Sequence, residues 1–103
     1  MTTEALNRAL LNPRTVALVG ASGDPYKNTG RPQRFLKAHG FQGKVFPINP
    51  NRKEVQGLPA YPSVVDAPGP IDHAFIMVPA PHVSAVITDC AAASVPVCTK
   101  HYL

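Results

Sequence analysis

Five residues, Thr15-Val16-Ala17-Leu18-Val19, form a short apolar run that breaks at once into Gly20-Ala21-Ser22-Gly23-Asp24-Pro25. A β-branched run of this length ending at glycine reads as a buried strand that delivers its end into a tight turn. Some residues further on, Thr29-Gly30-Arg31-Pro32 reads as a helix start, because proline is tolerated in a first turn where its missing N–H has no partner. Strand, glycine turn and helix N-terminus together present backbone N–H groups and a positive dipole end to an anion. The pattern predicts a nucleotide-like ligand.

The rest of the chain narrows the class. With 103 residues, 45% hydrophobic and 16% charged, it has the make-up of one globular α/β domain spanning 1–103. No apolar stretch approaches the ~20 residues of a membrane span, and Met1-Thr2-Thr3-Glu4 lacks the basic and apolar regions of a signal peptide. A cytoplasmic protein without membrane partners is expected. Cys90 and Cys98 have no metal-ligand spacing and are expected to be buried free thiols. The net charge is +4, and Lys27, Arg31, Arg34, Lys37, Lys44, Arg52 and Lys53 fall in one stretch without an acidic residue among them. Such a cluster suits a ligand with several negative charges. Nucleic acid is a weaker candidate, because no exposed aromatics are expected to interleave with these cations and no nucleic-acid motif is present.

Helical spacing of Leu6, Ala9 and Leu10 predicts a helix from Glu4 to Leu11, stopped by Asn12-Pro13. Strands are predicted at Thr15–Val19 and Lys44–Ile48, with a helix between them from Gly30 to His39 whose inner face carries Phe35 and Leu36 and which stops at Gly40. Pro47 makes pairing of the second strand one-sided near its end. Residues 54–70 are Pro- and Gly-rich, with one short strand expected near Ala60-Tyr61 and a helical turn at Ser63–Asp66. The continuous apolar run from His73 to Val78 predicts a strand buried on both faces. Val83, Val86, Ile87, Cys90 and Ala91 form the apolar stripe of a helix over 81–93, and Val95–Cys98 starts a strand expected beside His73–Val78. Alternating strands and helices imply a doubly wound parallel sheet, whose ligands bind beyond the carboxyl ends of the strands. The Gly20, Asn49 and Pro79 turns all lie at such ends.

Common nucleotide signatures are missing. A dinucleotide fingerprint needs G-x-G-x-x-G and an acidic residue closing the second strand; here the glycine positions read Gly20, Ser22 and Pro25, and the strand ends in Ile48-Asn49-Pro50-Asn51-Arg52. An NADP-binding oxidoreductase domain stays open as an alternative, with Arg52 facing a 2′-phosphate. No Gly-Lys-Ser/Thr follows Gly20, so a Walker A loop is absent. His39, His73, His82 and His101 have no partner at informative spacing, and no catalytic or metal-binding residue is assigned.

Val19-Gly20-Ala21-Ser22, Gly43-Lys44-Val45-Phe46-Pro47-Ile48-Asn49-Pro50, Gly57-Leu58-Pro59-Ala60-Tyr61-Pro62-Ser63, Ile71-Asp72 and Val78-Pro79-Ala80-Pro81 occur in this order. The set resembles the CoA-binding domain at the N-terminus of NDP-forming acyl-CoA synthetases, and is similar to the succinyl-CoA ligase α subunit and to small stand-alone CoA-binding proteins. The likeness covers about Asn12 to Val97, within a core of about 12–98. It implies a Rossmann-like domain that holds coenzyme A and directs its thiol to an active site built by other domains, so that the chain is not catalytic alone. It further implies CoA contacts from Gly20, Ala21, Ser22, Gly23 and Asp24 in the first loop. Asn49 and Pro50 shape the second turn, Arg52 stands where the ligase carries a lysine for the phosphates, and Val78, Pro79, Ala80 and Pro81 wall the pocket. The partners it implies are the phosphohistidine and ATP-grasp domains or subunits of a ligase; a homodimer, or a stand-alone CoA or nucleotide sensor, is the other outcome.

The family's next strand runs into a turn that completes the CoA site. Here Val97-Cys98-Thr99 is followed by Lys100-His101-Tyr102-Leu103, so a C-terminally truncated domain with an incomplete last strand and final ligand loop, and micromolar or weaker affinity, is expected.

Overall fold

The computed structural model describes Thr3, Glu4, Leu6 and residues 12–100. The helix expected over 4–11 lies largely outside the described residues, as do His101, Tyr102 and Leu103. The element order is β1 (Thr15–Val19), α1 (Arg31–Ala38), β2 (Lys44–Ile48), β3 (Glu54–Val55), β4 (Leu58–Pro59), a 3-10 turn (Val64–Asp66), β5 (His73–Ile76), α2 (Ala80–Ala92) and β6 (Val97–Lys100). Four strands form one sheet in the order β2-β1-β5-β6, with parallel pairing throughout. This is the Rossmann-like doubly wound α/β arrangement that the alternation of strands and helices implies.

Alternation along the strands feeds two cores, one on each face of the sheet. Ala17 and Val19, Phe46 and Ile48, and Ala74 point to one face, where they meet Val64, Val86 and Cys90. Leu18, Val45, Phe75 and Met77 point to the other, where they meet Leu36 of α1. All five residues of β1 are buried, as the central position of that strand requires.

Strand order reverses at β1, with β2 on one side and β5 on the other. The crevice of such a sheet opens at that reversal, between the carboxyl ends of β1 and β5. Gly20 and Met77–Pro79 lie there. The register is held below by Asp72, whose carboxylate accepts from the Arg14 and Thr15 N–H groups at 2.8 and 3.3 Å.

β1 and β2 have the bounds read from the sequence, and α1 matches apart from its caps, Gly30 and His39. Pro47 is buried on an edge strand, where its carbonyl accepts from the Tyr61 N–H at 3.0 Å. Several expectations are corrected. Phe35 does not face inward; it is 46% exposed, against the Arg34 guanidinium, and the buried residue of α1 is Gln33. Of the α2 stripe only Cys90 is buried, and Ile87 and Ala91 are exposed; the sheet is met along Val86, Cys90 and Ala93. β5 ends at Ile76, two residues earlier than expected.

β6 starts at Val97, not Val95, because the Val95 N–H still caps α2 by donating to the Cys90 carbonyl at 2.9 Å, with Ser94 at φ 56 turning the chain. Cys98 is exposed, not buried, because it lies on the outer strand of the sheet.

The segment 54–59 holds a hairpin that the sequence reading did not include. Glu54 pairs with Pro59 and Val55 with Leu58, leaving Gln56-Gly57 as a two-residue turn with φ 48 and 85. Positive φ at both positions is the type I′ pattern that matches strand twist. The chain then joins the open side of β2 through a parallel bridge between Ile48 and Tyr61, near the strand expected at Ala60-Tyr61.

Candidate functional site

Three turns meet at the carboxyl edge of the sheet: 20–30 after β1, 49–53 after β2 and 77–81 after β5. Gly20 makes the first possible. Its φ is +90, and an added Cβ would stand 3.1 Å from the Met77 carbonyl oxygen and 3.2 Å from Val78 Cγ1. Only glycine combines that dihedral with so close an approach of the β1 and β5 ends.

Beyond Gly20 the loop folds onto itself. The Asp24 N–H donates to Ser22 Oγ at 3.1 Å, and the Tyr26 N–H to Asp24 Oδ1 at 2.9 Å. The Ser22 N–H donates to the Thr29 carbonyl at 3.3 Å, closing the loop against the start of α1. Asp24 therefore acts inside the loop: its side chain and carbonyl shape the turn. Gly30 is buried with its α-carbon against the Asp24 carbonyl, so that an added Cβ would overlap that oxygen.

Arg52 reaches this loop from the second turn. Its Nε donates to the Glu54 carbonyl at 3.2 Å, which aims the guanidinium back toward β1. An added Cβ on Gly23 would stand 2.9 Å from Arg52 Cζ and 3.1 Å from both terminal nitrogens. Those near-equal distances put the face of the guanidinium over the Gly23 backbone. Asn49, by contrast, is committed to the scaffold. Its Nδ2 donates to the Ala21 carbonyl at 3.0 Å, and its Oδ1 accepts from the Asn51 N–H at 2.8 Å, an Asx turn that shapes Pro50-Asn51.

On the third side, Val78 is half-buried and Pro79, Ala80 and Pro81 are exposed. Pro79 is the N-cap of α2 and the next residues form its first turn, so two helix N-termini, those of α1 and α2, face the carboxyl edge. Lys100, at the end of β6, donates from Nζ to the Val78 carbonyl at 3.0 Å.

The sequence-predicted residues thus come together, but the basic stretch does not act as one cluster. Arg34 Nε is tied to the Pro25 carbonyl at 3.0 Å, with its guanidinium carbon 5.0 Å from the Tyr26 ring centre. Lys44 begins β2 at the opposite end of the sheet. Lys37 lines a cleft of about 510 Å³ behind the loop, with Gly23, Pro25, Arg34 and Gln56. Arg34 thus holds the Pro25 end of the loop, while Arg52 lies against Gly23. Among the histidines, His73 has a packing role: its ring stacks on Phe75 with centres 4.3 Å apart and its Nε2 lies 2.7 Å from Thr99 Oγ1. Among the described residues no group of three or more His, Cys, Asp and Glu could hold a metal ion, and no helix is long and apolar enough to cross a membrane.

Sequence reasoning missed two glutamines. Gln56, in the hairpin turn, donates from Nε2 to the Ser22 carbonyl at 2.9 Å and to the Gly30 carbonyl at 3.0 Å, joining both ends of the loop. Gln33 of α1 donates back to the Val55 carbonyl of the hairpin at 2.9 Å. Only the Gln56-Gly57 turn signal could have pointed there. Replacing Gln56 with alanine is expected to lower stability by about 1–3 kcal/mol, the cost of leaving the Ser22 carbonyl without its Gln56 donor and of losing one of the two donors to the Gly30 carbonyl; urea unfolding of the variant beside the wild type measures it.

A family model described as CoA binding domain matches residues 14–99. The chain is 41% identical over 88 residues to "Acetate--CoA ligase [ADP-forming] II" of Archaeoglobus fulgidus, covering 82% of this chain and 12% of that protein. Its fold superposes with a TM-score of 0.82 and 49% identity on the dinucleotide forming acetyl-coenzyme A synthetase 1 of Ca. Korarchaeum cryptofilum, over 87% of this chain and 19% of that one. A hypothetical protein from Pyrococcus horikoshii matches with a TM-score of 0.76 and 29% identity, over 92% of this chain and 66% of that one. The chain therefore spans about a fifth or less of the ligases it resembles. It corresponds to their CoA-binding portion, and its glycine loop, second turn and Val78–Pro81 segment all fall inside the matched residues. On this evidence the chain belongs to the CoA-binding domain family.

Proposed function

We propose that this chain binds coenzyme A across the carboxyl edge of β1, β2 and β5 and presents its thiol for thioester formation in an ADP-forming acyl-CoA synthetase. The observation that carries the reading is the guanidinium of Arg52 set over the Gly23 backbone of the loop behind β1. A fixed guanidinium beside a loop of backbone N–H groups suits a phosphate, which it can engage with two parallel hydrogen bonds. Ser22 Oγ, already accepting from Asp24 N–H, has its hydroxyl hydrogen to donate to the same anion. Asn49 acts through the loop, by holding the Ala21 carbonyl. Val78–Pro81 borders the path of the pantetheine arm. The chain supplies binding and orientation. Transfer of an acyl group from an acyl phosphate to the thiol sulfur, with release of phosphate, falls to other ligase domains or subunits.

Titration calorimetry with coenzyme A, 3′-dephospho-CoA, NADP and ATP tests the reading. Coenzyme A is expected to bind more tightly than the other three. Arg52→Ala is expected to weaken it by about 1–3 kcal/mol, the range for a charge-assisted contact, which is roughly 5- to 150-fold in Kd. Binding of NADP without coenzyme A would overturn the proposal in favour of an oxidoreductase domain. Unchanged affinity in Arg52→Ala would remove Arg52 from the phosphate site.

A further inference from the structure

Two thiols converge where α2 hands the chain to β6, away from the carboxyl edge. Cys90 lies in the last turn of α2, 1% exposed, packed with Ala17, Val19 and Ala74. Cys98 stands opposite Ala74 in the parallel register of β5 and β6. Directly paired residues of neighbouring strands share a face, so Cys98 projects to the face that α2 covers. The connection between them is short, held by the Val95 N–H on the Cys90 carbonyl, and Cys98 lies near enough to act on the Cys90 thiol.

The two are unequal in access. Cys98 is exposed on the outer strand, while Cys90 is sealed in the core. Burial, with Cys98 and Asp89 nearby, pushes the Cys90 thiol up to about 12, so Cys90 is a protonated thiol at neutral pH.

We propose that Cys98 and Cys90 are a reversible dithiol–disulfide pair, in which exposed Cys98 meets a low-molecular-weight disulfide and buried Cys90 resolves the product. In the first step the Cys98 thiolate attacks one sulfur of the disulfide RSSR; its S–S bond breaks and one RS⁻ leaves, taking a proton from water. In the second, Cys90 Sγ attacks Cys98 Sγ and expels the second RS⁻, which takes up the Cys90 proton as it leaves. Two protein thiols are oxidised by two electrons and RSSR is reduced to two RSH. The new bond fastens the last turn of α2 to the outer strand of the sheet. The pair stands independently of the coenzyme A reading.

The test is incubation of the full chain with oxidised glutathione, followed by intact mass and maleimide labelling. The wild type is expected to pass through a glutathione adduct to a species lighter by two hydrogens, with both thiols protected until reductant is added. Cys98→Ser is expected to leave Cys90 unmodified, and Cys90→Ser to stop at the adduct on Cys98. Because Cys90→Ser puts a hydroxyl into the core, the rise and decay of the adduct in the wild type is the second measurement. A wild-type adduct that persists, thiols that stay open to maleimide, or glutathionylation of Cys90 in Cys98→Ser would each overturn the pair.

Discussion

Gly30→Ala is expected to remove coenzyme A binding and to lower stability by about 3 kcal/mol, the upper end of the ordinary cost of overpacking. The backbone dihedrals at Gly30, φ −98 and ψ −20, are open to any residue, so the penalty is steric and not conformational. The added methyl would overlap the Asp24 carbonyl oxygen and come within 2.8 Å of its carbon. Both are backbone atoms, and no side-chain rotation relieves the contact. Loop and helix must separate, which breaks the Ser22–Thr29 bond and the shared Gln56 contact at Ser22 and Gly30. Calorimetric titration and urea unfolding of the variant check both parts. An alanine variant that binds coenzyme A as the wild type does would mean that the closed loop is not the binding form.

Gly20→Val is expected to abolish binding at a smaller structural cost, roughly 1–3 kcal/mol for a non-glycine residue held in a sparsely populated dihedral region. Here the dihedral matters, at φ +90, together with crowding by Met77 and Val78. The sheet can absorb a shift of a few tenths of an ångström at the strand ends, so the domain is expected to fold. The crevice cannot, because the branched side chain fills the approach between β1 and β5. Circular dichroism and titration of the same sample separate the outcomes: a folded variant that still binds would make the glycine turn purely structural.

Legibility of the fold followed the range of the interactions that make each element. β1 and β2 were readable because their apolar runs are bounded by local breakers, Gly20 before one loop and Gly43 and Asn49 around the other. α1 was readable from Pro32 and Gly40, the latter at φ +70. The β3–β4 hairpin was not, because its strands have two residues each and its turn opens with glutamine where asparagine or aspartate is the usual signal. β6 starts two residues after its composition suggests because the helix exit, with Ser94 left-handed and Val95 bonded to Cys90, consumes residues that read as strand. Hydrophobicity alone points Phe35 inward, yet its ring packs along Arg34 of its own helix and His39 at the helix cap. The same divide holds at the site. Gly20 and Gly23 announce a loop by position. The contact of Arg52 with Gly23, the double bond of Gln56 and the meeting of Cys90 with Cys98 are products of the fold, and no spacing along the chain encodes them.

The glutamine clasp has a consequence for how the domain breathes. The loop is closed by a residue 34 positions away from Ser22 and 26 from Gly30, on a hairpin that lies outside the four-stranded sheet. Val55 of that hairpin is fully buried with Leu18, Ala21 and Met77, so the hairpin opens only by uncovering part of that core. Any such opening also withdraws Gln56 and unlatches the anion loop. Loop order and hairpin closure are thus coupled, and a ligand that needs the loop closed stabilises the hairpin as well.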